Sequence, residues 1–232
     1  MTEAGLRIEQ RGGVRWLILD RPRVNALNAA LYHALLDALR QAASDEAVRA
    51  LVLSSANDRI FSAGADLKED AAPGLRASLL LDALVAVASF PKPVLVHLAG
   101  KAIGAGAMIA LLADEIVCGP GAELSLPEIQ HDMPTPIGAA VVAARAPHAL
   151  VQTLVQAGEP LGAEAASRAG LVSAVVPAAE LAEATQARAQ KLGALPARAY
   201  AGNKAWINGP LIRSLHDAAA HAASLRGTAH AP

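Results

Sequence analysis

What most constrains this chain is the recurrence of short, uncharged apolar runs of strand length, each followed by a longer helix-like segment. Arg49-Ala50-Leu51-Val52-Leu53-Ser54, Pro93-Val94-Leu95-Val96-His97-Leu98 and Glu115-Ile116-Val117-Cys118 carry almost no polar alternation, so each reads as a strand covered on both faces. Between them lie helix-sized apolar segments at 79–87 and 105–113. Strands alternating with helices point to an α/β domain, within the α/β or mostly α class that an alanine-, leucine- and valine-rich composition suggests. Upstream, Leu6-Arg7-Ile8-Glu9 and 13–20 flank Gly12-Gly13 and predict an antiparallel hairpin. Asn28 is placed to cap a helix whose apolar face is Leu31, Leu35, Leu36 and Leu39. A short strand is expected around Leu124-Ser125-Leu126. From about Gly138 the pattern is helical, interrupted by a last strand at 171–176. No linker or low-complexity stretch divides the chain. The expected organisation is one core over 1–195 and a helical C-terminal region over 196–232.

Composition sets the outer limits. With 232 residues, 53% of them hydrophobic, the chain can bury a large core, which excludes disorder. Lys+Arg number 20 against 21 Asp+Glu, so there is no cationic excess to neutralise nucleic acid or an anionic membrane. The apolar stretch from Ala102 to Ala113 lies between Lys101 and Asp114, too short to span a bilayer, which needs roughly 20 residues. No signal-peptide pattern opens the chain, and the lone Cys118 reads as a buried structural thiol. These features predict a soluble, cytoplasmic protein without nucleic-acid or membrane partners.

Two segments stand apart from ordinary connections. Phe61-Ser62-Ala63-Gly64-Ala65-Asp66 and Ala99-Gly100-Lys101-Ala102-Ile103-Gly104-Ala105-Gly106-Ala107 put small residues where backbone N–H groups at a helix start lack partners. Facing each other, they would form an oxyanion hole. Neither is a dinucleotide fingerprint or a P-loop. His33, His97 and His148 show no metal-ligand spacing, and no metal site is expected.

Phe61–Glu69, the turn at 104–106, Ala113-Asp114-Glu115-Ile116, Leu126-Pro127-Glu128-Ile129 and Ala169-Gly170-Leu171-Val172 together resemble the crotonase (enoyl-CoA hydratase/isomerase) superfamily in order and spacing. Asp20-Arg21-Pro22 and Val24-Asn25-Ala26-Leu27-Asn28 fit the same pattern, and the resemblance runs from about Leu17 to Val176. It implies a ClpP/crotonase-like α/β spiral of ββα units closed by C-terminal helices, assembled as a homotrimer or hexamer. It also implies an acyl-CoA thioester substrate, with coenzyme A arriving as part of that substrate and no other cofactor. By position, the N–H groups of Ala65 and Ala105 would hold the thioester oxygen. Ala63, Ala65, Asp66, Leu67, Lys68, Ala105 and Met108 would line the substrate. Arg21, Arg23 and Lys68 are candidates for the CoA phosphates.

Departures from the family pattern refine this expectation. The family's hydratases carry two glutamates in the acyl pocket. Here the first position is Met108 and only Glu128 remains. One carboxylate suffices to move a proton between two carbons, whereas adding water calls for a second polar group. The expectation is therefore double-bond isomerisation of an enoyl-CoA with Glu128 as its catalytic base. Hydration of a 2-enoyl-CoA or acyl-CoA hydrolysis, assisted by His131 or Asp132, is the alternative, and a CoA-ester-binding homologue without turnover is another. Apolar surroundings should raise the Glu128 pKa. Ala105 stands where the family commonly has glycine, so its N–H serves as a donor only if its φ is negative. Two prolines in Met133-Pro134-Thr135-Pro136 replace a glycine-rich turn, and Leu79, Leu80, Leu81 and Leu84 are expected to line an apolar acyl pocket.

Overall fold

A computed structural model of the chain describes residues 3–70 and 73–228. The extreme ends of both expected regions, including the terminal Ala229-His230-Ala231-Pro232, lie outside the described residues. The strands are β1 (Leu6–Arg11), β2 (Val14–Leu19), β3 (Ala50–Ser55), β4 (Ile60–Ser62), β5 (Val94–Leu98), β6 (Lys101–Ile103), β7 (Glu115–Cys118), β8 (Glu123–Ser125), β9 (Leu161–Gly162) and β10 (Ala174–Val175). The helices are α1 (Ala29–Ser44), α2 (Pro73–Ser89), α3 (Ala105–Leu112), α4 (Pro136–Arg145), α5 (His148–Val151), α6 (Ala163–Arg168), α7 (Leu181–Gly193) and α8 (Ala197–Thr228).

The larger sheet has the order β1-β2-β3-β5-β7-β10. Only the β1–β2 hairpin is antiparallel, and the remaining pairs are parallel. Its strands are apolar throughout because both faces are covered. Leu17, Leu19, Leu51, Leu53, Val94 and Val96 join the main core, into which the buried faces of α1, α2 and α3 also pack. The alternate residues Trp16, Ile18, Val52 and Leu95 pack on the other face against Ala189 of α7. The two-residue period of a strand assigns each side chain to its face.

Of the smaller sheet, β4-β6-β8-β9, only β8 was expected as a strand, around Leu124-Ser125-Leu126. Its strands are three residues long or shorter, too brief for any periodicity to register. Strands β4, β6 and β8 run parallel, with Ser62 beside Ala102 and Ile103 beside Ser125. The chain thus repeats a unit in which a strand of the large sheet leads to one of the small sheet and then to a helix: β3-β4-α2, β5-β6-α3 and β7-β8-α4. This is the expected spiral of ββα units. The final strand is shorter than expected: after Gly170, at φ +75°, Leu171 is still bonded back to Ala166, and the β10–β7 ladder pairs only Ala174 and Val175.

Helix α8 is fastened to the core by polar clips as well as by Leu211 and Leu215. Lys204, only 5% exposed, pairs with Asp114 at 2.7 Å, and the same Asp114 oxygen accepts the N–H of Val94. Asn208 donates to Ala88 O and accepts from Arg145. The Ala113-Asp114-Glu115 segment therefore anchors the C-terminal helices, since Glu115 also pairs with Arg188 of α7. Among the described residues, no helix is long and apolar enough to cross a membrane.

Candidate active site

All three ββα units deliver a piece of chain to one place, at the carboxyl ends of β4, β6 and β8. Residues 63–66 follow β4, Gly104-Ala105 follows β6, and Pro127-Glu128 follows β8. The ends of parallel strands, where the chain turns away toward a helix, are where α/β sheets open crevices. Here the crevice is a cavity of about 430 Å³ whose wall includes Ala63, Ala65, Ala105, Met108, Glu128 and His131.

The turn after β4 is held from several sides. Leu27 donates to Gly64 O at 2.7 Å and accepts from Asp66 N at 2.9 Å. A residue between two such bonds of a parallel bridge points its own N–H to the opposite side, and Ala65 is that residue. Asn25, buried and at φ +48°, donates to Phe61 O and Ser55 Oγ, while Ser62 Oγ donates to Asn25 O. The Glu69 carboxylate accepts the N–H of Ala29 at 3.1 Å, and Asn28 accepts that of Leu31 at 3.0 Å as the expected cap of α1. The Val24–Asn28 segment is thus a scaffold for the 61–69 turn.

The turn after β6 is fixed by Gly104, whose N–H donates to Ser125 O at 2.8 Å and whose carbonyl accepts from Met108 N at 2.9 Å. Gly104 takes the positive φ of +53°, and Ala105, the first residue of α3, does not. Its methyl group is compatible with the turn, and the first N–H groups of a helix have no intrahelical acceptor. Neither Ala65 N–H nor Ala105 N–H has a backbone acceptor among the described residues. The two turns touch: a Cβ built on Gly64 would lie 2.9 Å from Ile103 O and 3.3 Å from Ala105 N.

Glu128 follows Pro127 in a short 3-10 helix over Pro127–His131. A Cβ on Gly104 would come within 2.9 Å of its Oε1, so the carboxylate rests against the second turn. Its Oε2 is buried without a hydrogen-bond partner among the described residues. Burial holds its carboxyl above the ordinary glutamate range, with its own backbone amide and His131 pulling the other way. In a 3-10 helix residues three apart eclipse, which sets His131 on the side of Glu128. Asp132, in the left-handed region at φ +54°, belongs instead to the wall of a neighbouring cavity with His221.

Other expected residues fall in different places. Leu67, 65% exposed, lies on the cavity wall, whereas Lys68 is exposed outside it, its N–H donating to Asp66 Oδ1 at 3.0 Å. Asp66 also pairs with Arg21 at 2.7 Å, and Arg21 donates to Ala26 O. Asp66 and Arg21 therefore brace the turn, and Arg23, at φ +73°, accepts Asn57 Nδ2 through its carbonyl. Of the four leucines expected in the acyl pocket only Leu80 lines it. Leu79 and Leu84 face the core, and Arg76 and Ala77 occupy the cavity side of α2 instead. A helix exposes positions i, i+1 and i+4 on one face, and an all-leucine run conceals which face that is. The two prolines build part of the wall: Pro136 opens α4 and packs Gly138 against Leu126 and Met108. Tyr32, Arg76 and Ala222 of α8 also border the cavity and were not anticipated. Cys118 is buried in β7, where burial pushes its thiol up to about 11. His97 packs on Trp16 with ring centres 5.6 Å apart.

Comparison with known proteins agrees with this architecture. The family described as enoyl-CoA hydratase/isomerase matches residues 9–228. The carnitinyl-CoA dehydratase of Proteus mirabilis (strain HI4320) is 33% identical over 193 residues, covering 81% of this chain and 74% of its own. That of Escherichia coli (strain K12) is 33% identical over 202 residues, covering 83% and 75%. The solved structure of an enoyl-CoA hydratase from Mycobacterium avium subsp. paratuberculosis K-10 superposes with a TM-score of 0.86 at 28% identity, covering 100% of this chain and 92% of its own. Pseudomonas aeruginosa DspI superposes with a TM-score of 0.84 at 25% identity, covering 92% and 90%. The chain belongs to the enoyl-CoA hydratase/isomerase family of crotonase-type enzymes.

Proposed function

We propose that this protein isomerises an enoyl-CoA thioester, moving its double bond from the 3,4 to the 2,3 position. The observation that carries the reading is that Glu128, a carboxylate on the cavity wall, rests against Gly104, and that the wall holds Met108 where the resemblance puts the second glutamate of the family's hydratases. The Glu128 carboxylate takes a proton from C2, and the electron pair moves into the thioester carbonyl to give a dienolate. The N–H groups of Ala65 and Ala105 receive the developing negative charge on oxygen. Glu128 then returns the proton to C4, the double bond forms between C2 and C3, and the carboxylate is regenerated. Preorganised donors of this kind contribute about 3–4 kcal/mol each in related chemistry. The reaction calls for no redox or metal group, and coenzyme A enters as part of the substrate. Ultraviolet absorbance of the conjugated thioester tests the reading: the band should grow with a 3-enoyl-CoA, and failure to grow would overturn it.

Hydration is favoured by one specific observation, the placement of His131 beside Glu128 on the same wall. Under that reading His131→Phe lowers water addition to a 2-enoyl-CoA by roughly a hundredfold, the scale of one general acid or base. Under the isomerase reading the same variant leaves the rate of conjugation within a small factor. Loss of isomerisation in His131→Phe would contradict a one-carboxylate mechanism. A homologue without turnover would bind acyl-CoA and change neither substrate.

We also propose that the trimer or hexamer contact includes the outer face of α8, where Trp206 is 86% exposed and Ile207 65%. Adjacent large apolar residues on a surface mark contact sites. Trp206→Asp combined with Ile207→Asp should shift the mass measured by sedimentation to that of a monomer. An unchanged mass would remove this face from the assembly.

A further inference from the structure

Tyr32 is one of only two tyrosines in a chain poor in aromatic residues. It sits in the second turn of α1 and is 1% exposed, with Leu31 and Leu35 beside it in the core. A phenylalanine would fill the same space. The hydroxyl is instead buried with no hydrogen-bond partner among the described residues, an arrangement that folded proteins avoid. Tyr32 borders the cavity that also holds Ala65, Ala105 and Glu128. The Glu69 carboxylate, which acts on it electrostatically, already accepts the N–H of Ala29.

Arg76 of α2 borders the same cavity, and its Nη1 donates to Asp66 O at 3.4 Å. Tyr32 and Arg76 both border the cavity, in a part of the wall next to the 66–69 segment. The other charged or titratable groups around this space are Glu69, Glu128 and His131. A hydrocarbon chain would leave the phenol proton without an acceptor, whereas an oxygen on the chain would accept it.

We propose that the Tyr32 hydroxyl selects acyl-CoA thioesters whose acyl group carries a hydrogen-bonding oxygen, as a hydroxyl or a carboxylate. This inference rests on the acyl-CoA reading of the cavity and goes beyond it by naming the acyl class. Tyr32 acts as a specificity residue, apart from the proton transfer assigned to Glu128.

The test is calorimetric titration of the wild-type protein and Tyr32→Phe with free CoA and with butanoyl- and hexanoyl-CoA. The ω-hydroxy and ω-carboxy counterparts of both acyl-CoAs complete the panel. The wild-type protein should bind an oxygenated thioester about five- to tenfold tighter than the unsubstituted one of equal length, the scale of one hydrogen bond. Tyr32→Phe should lose that preference while its affinity for the unsubstituted thioesters is unchanged. Preference confined to the hydroxy or to the carboxy series supports the proposal and identifies which oxygen is taken. An equal preference in both proteins overturns it, as does equal weakening toward every ligand including free CoA, which would assign the hydroxyl to the CoA moiety. Failure of both proteins to bind any acyl-CoA overturns the acyl-CoA reading and this inference with it. The apo melting temperature of Tyr32→Phe should equal or exceed that of the wild type. A fall would mean that the hydroxyl has a partner within the protein and would also overturn the proposal.

Discussion

Glu128→Gln should lower kcat for 3-enoyl-CoA isomerisation by about a thousandfold, within the range of roughly 10² to 10⁴ attributed to one general acid–base group. Glutamine keeps the shape and the contact with Gly104 but has no basic oxygen for the C2 proton. The turns at Gly64-Ala65 and Gly104-Ala105 are untouched, so the Kd for a saturated acyl-CoA should stay close to that of the parent. A variant that retained full turnover would remove Glu128 from the chemistry. The pH behaviour follows from the same burial. Because the folded carboxyl is held above the ordinary glutamate range, activity should rise with pH through an inflection above that range and disappear in the variant. The stability sign is opposite. The raised pKa favours the protonated folded state, so its contribution is fully present below the ordinary glutamate pKa and is lost as pH rises through the folded value. Glu128→Gln should therefore melt higher than the parent at neutral pH, and the difference should shrink in acid.

The second large effect is expected at Gly64. Its φ is +84°, and a methyl group there would lie 2.9 Å from Ile103 O and 3.3 Å from Ala105 N. Gly64→Ala must therefore push the two turns apart, and with them the Ala65 and Ala105 N–H groups proposed to hold the thioester oxygen. Displacing one donor of an oxyanion site costs about 10² to 10³ in kcat. Steady-state kinetics should show that loss, and folding should survive, because a left-handed alanine costs on the order of 1–3 kcal/mol. Circular dichroism and melting would separate the two effects. Unchanged kcat in a folded Gly64→Ala protein would mean that the Ala65 and Ala105 turns do not hold the reacting oxygen. The contrast with Glu128→Gln is informative: one variant keeps the proposed oxygen-binding turns and loses the proposed base, while the other keeps that carboxylate and misplaces the turns.

Much of the large sheet could be read in advance because β3, β5 and β7 are buried on both faces, which shows as unbroken apolar runs. The cap at Asn28 and the hairpin at Gly12-Gly13 were legible for similarly local reasons. The small sheet was not, although it positions the whole site. Strands β4, β6 and β8 hold three residues each; β8 was legible as a short strand, whereas β4 and β6 and the pairing of all three are long-range properties that leave no mark on so short a segment. The small-residue turns and the Pro-Glu pair were visible, and their convergence on one cavity comes from the three parallel strands that precede them. Arg21 illustrates the limit: an isolated basic residue looks available for a phosphate until its carboxylate partner, Asp66, is brought beside it. Tyr32 escaped notice because it lies within the apolar face of α1, where an aromatic residue ordinarily signals only packing.

A single carboxylate carrying one proton from C2 to C4 is the centre of this account, and isotope transfer tests it most directly. With 3-enoyl-CoA deuterated at C2 and turned over in ordinary water, mass spectrometry of the first-formed 2-enoyl product should find deuterium retained at C4. Complete loss of the label from that position, even in the earliest product, would show that the proton arriving at C4 comes from solvent and would contradict transfer by Glu128 alone.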